Sequence, residues 1–345
     1  MGINMKTTIK DLARESGFSV ATVSLALSDK PSRVNTETIQ KIRKLAKKMN
    51  YTPNRLAAGL ATQKSKMIGF VTDDFSNTYI SANFMAIDME LQKSGYLLMA
   101  SSAVRDTEYA EFAIKNLVSS GVDGIIYNKS AHTKMSELDK RIGDYLEQSG
   151  LPVVSCDNPL YEKYGVGVKF DYCKGGYLAT KHLIENGHKK IGCLAGDINL
   201  QVTADRFEGY RSALKEAGIA FDPDLVYYGN YSIGSGGEAL PYLLGQGVTA
   251  IFAFNDQMAF GIYKEAQKYH VSIPGDLSVI GFDNTQFCDV LDAPLTSVGS
   301  FSSNAMGVVV AKKMVELIEQ KEKADRERIV FEPSLFLRGS TAERK

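Results

Sequence analysis

Cysteine is scarce in this 345-residue chain, with four residues at Cys156, Cys173, Cys193 and Cys288. Their spacing fits neither a CxxC redox pair nor a zinc ligand set, so they read as reduced, buried thiols. The four histidines, His132, His182, His188 and His270, are equally dispersed, and none stands at a recognisable distance from a nucleophile. His188 reads as a packing or capping residue. No run approaches the roughly eighteen apolar residues of a membrane span. Met1 to Lys10 holds no apolar stretch that would form a secretory leader. The glycine-rich dinucleotide fingerprint and the phosphate loop are both missing; Gly234-Ser235-Gly236-Gly237 reads as the opening of a helix instead. These absences argue against an enzyme, an exported transport protein and a membrane protein. They leave a cytoplasmic protein with no expected catalytic residue, metal or cofactor.

A net charge of either sign is also lacking, because 40 basic residues balance 40 acidic ones. The balance is not local. Through Lys66 there are 13 Lys and Arg against 4 Asp and Glu, a net +9, and the remainder carries 27 against 36, a net −9. That asymmetry points to a head that binds nucleic acid on a body that repels phosphate. An apolar fraction of 44% and a charged fraction of 23% are ordinary for a globular protein. The length implies two or three domains.

The head reads as three short helices. Thr8 caps the first, with Asp11 three residues on, and Gly17 ends it. Ser19 opens the second at once, over Val20-Ala21-Thr22-Val23-Ser24-Leu25-Ala26-Leu27. Two short helices around a glycine-containing turn have the form of a helix-turn-helix, whose second helix enters the major groove. Ile9, Leu12, Ala13, Val20, Val23 and Leu27 recur at helical spacing and are expected to share a small core. Asn35 caps a third helix with Ile39, Ile42, Leu45, Ala46 and Met49 inward, and Lys41, Arg43, Lys44, Lys47 and Lys48 outward. A plain helical bundle with a solvated basic face is the alternative.

From Met67 onward, apolar runs at 67–72, 96–100, 124–127, 152–156, 165–170, 190–195, 250–253 and 277–282 alternate with amphipathic stretches of helical length. Near-continuous apolar strands separated by helices imply parallel sheets covered on both faces, here in two doubly wound halves. Ligands of such sheets bind beyond the carboxyl ends of the strands. Polar residues sit at those ends: Asp73 and Asp74, Asp157 and Asn158, Asn255 and Asp256, Asp283 and Asn284. They suit the rim of a pocket for a hydroxylated ligand. Asp256 also reads as the cap of the next helix, Asp157-Asn158-Pro159 as a turn, and Asp283 as either a turn residue or a ligand acceptor.

The chain resembles the LacI/GalR family of bacterial transcription regulators along essentially its full length. The resemblance is carried by Thr8 to Ala13, Ala21 to Ser24, Met49 to Leu60, Val122-Asp123-Gly124-Ile125-Ile126, Glu185 to Ile191, Arg206 to Tyr210, Asn255 to Ala259 and Val279 to Asp283, all in family order. It implies a DNA-binding regulator, most simply a repressor, that binds a pseudo-palindromic operator as a homodimer. It places base-reading positions on Val20, Ala21 and Leu25, and phosphate contacts on Ser19, Thr22, Ser24 and Asn35, with Thr8 and Asn54 beside them. Leu60 matches the family leucine that wedges into the minor groove. Leu25 departs from the arginine or histidine often found at its position and offers only an apolar contact, so the usual operator is not implied; Leu25 facing the head's own core is the alternative.

In the body the resemblance implies a periplasmic sugar-binding fold and effector positions at Asp73, Asp157, Arg206, Asn255 and Asp283, with Tyr79 and Tyr231 as aromatic neighbours. The expected effector is a sugar or sugar phosphate. A purine or nucleoside is the alternative, which Leu200 and Val202 disfavour because purine-responsive members carry polar residues there. A protein corepressor is a further one. The expected organisation is a helix-turn-helix domain at 1–50, a hinge at 51–66, and an effector-binding and dimerisation core at 67–345. The N-terminal half of that core is expected at about 67–169 and 300–330, the C-terminal half at about 170–297 and 333–345.

Overall fold

The computed structural model describes residues 7–28, 33–52, 64–103, 107–129, 133, 136–157, 165–300, 305–320 and 327–344. The chain divides into two compact units, Met1–Ser65 and Lys66–Lys345.

The first unit is a trihelical head of α1 (Ile9–Ser16), α2 (Val20–Leu27) and α3 (Thr36–Lys48). Each helix begins on a side-chain cap. Thr8 and Asp11 form a reciprocal capping box, Ser19 Oγ accepts from the Thr22 amide, and Asn35 Oδ1 accepts from the Thr38 amide. Gly17, at φ 73°, ends α1 in the left-handed region that glycine enters without penalty. Leu12, Ala13, Val23, Ala26, Ile42 and Ala46 form the buried centre. Val20 is not part of it: the residue is 42% exposed, contrary to the spacing argument. An eight-residue helix that is apolar almost all round gives periodicity no face to choose.

The second unit holds two parallel-sheet α/β halves, the architecture expected from the alternation of strands and helices. The first comprises β1 (Met67–Thr72), α4 (Thr78–Lys93), β2 (Leu97–Ser102), α5 (Thr107–Ser119), β3 (Gly124–Asn128), α6 (Glu137–Ser149), β4 (Val153–Cys156) and β5 (Val166–Phe170). The second comprises α7 (Tyr172–Glu185), β6 (Ile191–Ala195), α8 (Gln201–Glu216), β7 (Val226–Tyr228), α9 (Ile233–Gly245), β8 (Ala250–Ala253), α10 (Asp256–Lys268), β9 (Ser278–Phe282) and β10 (Thr296–Gly299). The chain then returns through α11 (Ala305–Gln320) and β11 (Arg328–Phe331) to the first sheet, and through β12 (Ser334–Phe336) to the second.

The sheet orders are β11-β5-β4-β3-β1-β2 and β12-β10-β9-β8-β6-β7. All pairings are parallel except β10 with β12. One face of the first sheet packs on Ile87, Leu91, Val310 and Met314 of α4 and α11, the other on Ile114, Leu117, Ile142 and Leu146 of α5 and α6. The second sheet and its helices share one core that includes Leu183, Tyr210, Leu240 and Ile262. Burial of this kind stabilises by roughly 25 cal/mol per Å² of apolar surface. No helix among the described residues is long and apolar enough to cross a membrane.

Candidate nucleic-acid interface and ligand cavity

On α2, Ser19, Val20, Ala21, Ser24 and Leu25 are exposed on one side of the helix, while Val23 and Ala26 are buried. Leu25 is 48% exposed, so it does not face the core of the head. The Ser19 and Thr22 hydroxyls lie 2.9 Å apart at the helix start, where unsatisfied backbone N–H groups favour an anion such as a phosphate. Thr8 and Asn35 have capping duties, which fix the geometry of the head. Arg43 departs from the simple basic outer face. Its Nε donates to the Ala26 carbonyl at 3.1 Å and its Nη2 to the Ser28 carbonyl at 3.2 Å, so it closes the carboxyl end of α2 and ties it to α3. Asn54 and Leu60 lie outside the described residues.

In the body, a cavity of about 540 Å³ opens between the two halves. Asp73, Tyr79, Asp157, Arg206, Tyr231, Asn255 and Asp283 all line it. Register explains the convergence. β1 and β3 pair at Thr72 and Asn128, and β8 and β9 pair at Phe252 and Ile280, so the residues that follow these strands emerge side by side at one end of each sheet.

Arg206 is the centre of the C-terminal wall. It is buried on α8, with Nη1 3.3 Å from the Tyr231 hydroxyl and Nη2 3.4 Å from Asp283 Oδ1. Its guanidinium carbon lies 4.1 Å from the ring centre of Phe282 and 4.6 Å from that of Tyr172. Burial works against the charge, but Tyr231, Asp283 and Tyr172 outweigh it and hold the pKa above its ordinary value. Nε is buried and has no hydrogen-bond partner among the described residues. Asp283, at φ 106°, has its pKa pushed well up by burial, with Arg206 opposing and Asp256 and Asp157 adding.

Tyr231 is held by Thr203, with the two hydroxyl oxygens 2.7 Å apart, and its ring occupies the space a side chain would need at Gly196. Asn255 caps α10 through Oδ1, which accepts from Met258, and donates Nδ2 to the Tyr231 carbonyl. Asp256 is therefore the first residue inside the helix rather than its cap. Its carboxylate is buried and accepts from Ser297 Oγ at 2.7 Å, the Thr285 amide at 2.7 Å, the Thr285 hydroxyl at 3.0 Å and Cys288 Sγ at 3.1 Å. That network holds β10 and the Thr285 turn against α10 and takes Asp256 out of the ligand set.

On the N-terminal wall, Asp157 accepts from the Tyr172 hydroxyl at 2.6 Å and the Phe170 amide at 3.2 Å; burial still raises its pKa. Burial also raises the Tyr79 pKa, with Asp157 and Asp283 adding to it. Two wall residues escaped the sequence reading. Lys129 is 5% exposed and donates to Asp73 Oδ1 at 2.6 Å. Tyr172, at the start of α7, bridges Asp157 and Arg206. His188 is buried away from the cavity and joins Thr249, Ser278 and the Ala342 carbonyl, a packing role.

Comparison with known proteins follows the same division of the chain. The description "Bacterial regulatory proteins, lacI family" matches residues 8–54, and "Periplasmic binding protein-like domain" matches residues 180–341. The HTH-type transcriptional regulator DegA of Bacillus subtilis (strain 168) is 34% identical over 341 residues, covering 98% of this chain and 99% of its own. The chain belongs to the lacI family. The HTH-type transcriptional repressor PurR of Actinobacillus pleuropneumoniae serotype 3 (strain JL03) is 30% identical over 336 residues, 96% of this chain and 98% of its own. The crystal structure of the Lac repressor dimer bound to operator and the anti-inducer ONPF superposes with a TM-score of 0.83 at 25% identity, over 98% of this chain and 99% of that one. This lacI-family member is a DNA-binding transcriptional regulator and not an enzyme.

Proposed function

We propose that this regulator acts in the cytoplasm as a homodimer on a pseudo-palindromic operator, with α2 in the major groove, and that a small sugar-type effector held between its two α/β halves sets its affinity for DNA. The observation that carries the effector reading is the composition of the 540 Å³ cavity: carboxylates and an amide that accept, the guanidinium of Arg206 that donates, and the rings of Tyr79 and Tyr231. Hydroxyl groups need both donors and acceptors, and a sugar ring also needs an apolar surface to lie on. Asn54 and Leu60 have their proposed role in the hinge, where Leu60 wedges the operator centre.

The test is a thermal-shift screen of the full chain against free and phosphorylated sugars, with Arg206→Ala as control. A ligand at about a hundred times its dissociation constant adds roughly 2.7 kcal/mol. A sugar is expected to stabilise the parent and not Arg206→Ala, while operator affinity without effector is unchanged. Equal shifts in both proteins would remove Arg206 from the site. PurR among the relatives favours a second reading, an effector outside the sugar class. Leu200 and Val202, which line the cavity just ahead of Arg206, weigh against polar recognition of a nucleobase there. Stabilisation by a purine base or nucleoside but by no sugar would establish it.

A further inference from the structure

The cavity has an ion pair on each wall. Arg206 meets Asp283 on the C-terminal side, and Lys129 meets Asp73 on the N-terminal side. Lys129 follows β3 as Asp73 follows β1, and the pairing of Thr72 with Asn128 sets the two side by side at the carboxyl edge of the first sheet. The Lys129 ammonium is nearly fully buried, held 2.6 Å from the Asp73 carboxylate, and both residues face the cavity. Five carboxylates line this space, at Asp73, Asp74, Asp157, Asp197 and Asp283, against two cations, Lys129 and Arg206.

We propose that the Lys129–Asp73 pair is a specificity-determining clamp that admits a neutral hydroxylated ligand and rejects its phosphate ester. This rests on the sugar-type reading of the cavity. A hydroxyl set against an ion pair satisfies both partners at once, since its proton goes to the carboxylate and its lone pair accepts from the ammonium. A phosphate ester is mostly dianionic at neutral pH and meets Asp73 with charge repulsion rather than with a proton. To reach Lys129 it must sit within contact distance of that carboxylate, in a buried site where like charges are poorly screened. The other cation, Arg206, also has a carboxyl neighbour, with Nη2 3.4 Å from Asp283 Oδ1. A lone lysine in a cavity would select an anion; a lysine committed to an aspartate selects against one.

The experiment uses the full chain, with calorimetric titration of matched probes: ribose and ribose 5-phosphate, glucose and glucose 6-phosphate. At least one free sugar is expected to bind the parent, with its phosphate ester at least tenfold weaker, about 1.4 kcal/mol. Lys129→Gln should lose at least tenfold in affinity for that free sugar. Asp73→Asn removes the repelling charge while keeping an amide oxygen that can accept from the Lys129 ammonium, so it serves if Lys129→Gln fails to fold. It should narrow the gap between sugar and ester at least tenfold. A parent that binds the ester as tightly as the free sugar, or an Asp73→Asn protein with an unchanged gap, would overturn the clamp and leave the sugar-type reading standing. A panel in which no free sugar binds the parent would overturn that reading and the clamp with it.

Discussion

The Tyr172 hydroxyl donates to Asp157 Oδ2 at 2.6 Å, so a carboxylate from the end of β4 is held by the first residue of α7. The same ring lies over the Arg206 guanidinium. Tyr172 thus links the two walls of the cavity while leaving Asp157 with acceptor capacity for a ligand. The acid is costly to bury, and its pKa is raised even with this bond in place.

Tyr172→Phe should make that cost visible. A carboxylate whose folded pKa is raised stabilises the fold fully below its ordinary value of about 4 and loses that contribution as pH rises through the folded pKa. Removing a donor to the ionised form pushes the folded pKa higher still. The variant should be less stable than the parent by about 1.5–3 kcal/mol at pH 8, as is typical of a bond to a charged group, and the deficit should shrink towards pH 4.5. Urea unfolding at the two pH values checks this. A deficit that is the same at both would mean that Asp157 is not the group affected.

The head offers a contrast between two residues. Leu25 is exposed and makes no core contact, so Leu25→Ala should change stability by no more than about 0.5 kcal/mol and yet weaken operator binding. Arg43→Ala frees the carbonyls of Ala26 and Ser28 at the end of α2 and should lower the stability of the head by about 1 kcal/mol. Thermal unfolding of the two variants beside fluorescence anisotropy on operator and random duplexes separates the roles. A Leu25→Ala protein that loses stability but not operator preference would place Leu25 in the fold rather than at the DNA.

His188 gives the body an acid-sensitive fastening. Burial lowers its pKa, the Ala342 carbonyl opposes that, and Arg344 adds to it; His182, lowered by burial and raised by Glu185, sits beside Thr341 on the same segment. A histidine kept neutral by the fold stabilises above its ordinary pKa of about 6.5, and that contribution is lost as pH falls through the lower folded value. Amide exchange of residues 340–344 should therefore be slower at pH 7.5 than at pH 5.5 once intrinsic rates are removed. The difference should be smaller in His188→Gln. No difference between the variants would assign the acid sensitivity elsewhere.

Much of this was legible before the structure. Asp73, Asp157, Asn255 and Asp283 each follow an apolar strand, and strand ends are where ligands of parallel sheets gather. Lys129 follows one too, but its pairing with Asp73 depends on β3 lying next to β1, and adjacency of strands separated by about fifty residues leaves no local mark. Tyr172 stands in none of the motifs, and its bond to Asp157 arises only in the fold. β10, Thr296–Gly299, escaped notice because its buried Ser297 is polar, a choice explained by the Asp256 carboxylate it serves. β7 has three residues and lies at a sheet edge, too short for alternation to register. Val20 was misplaced because its helix lacks a polar face.

The central claim is that the cavity and the operator are thermodynamically coupled, and linkage requires that coupling to be reciprocal. The direct measurement is the affinity of the full chain for a duplex selected from random sequence, with and without a saturating concentration of the sugar that most stabilises the protein. The affinity should change at least fivefold, about 1 kcal/mol of coupling, and the operator should change the sugar's affinity by the same factor. A sugar that binds in the cavity and leaves operator affinity unchanged would contradict the account.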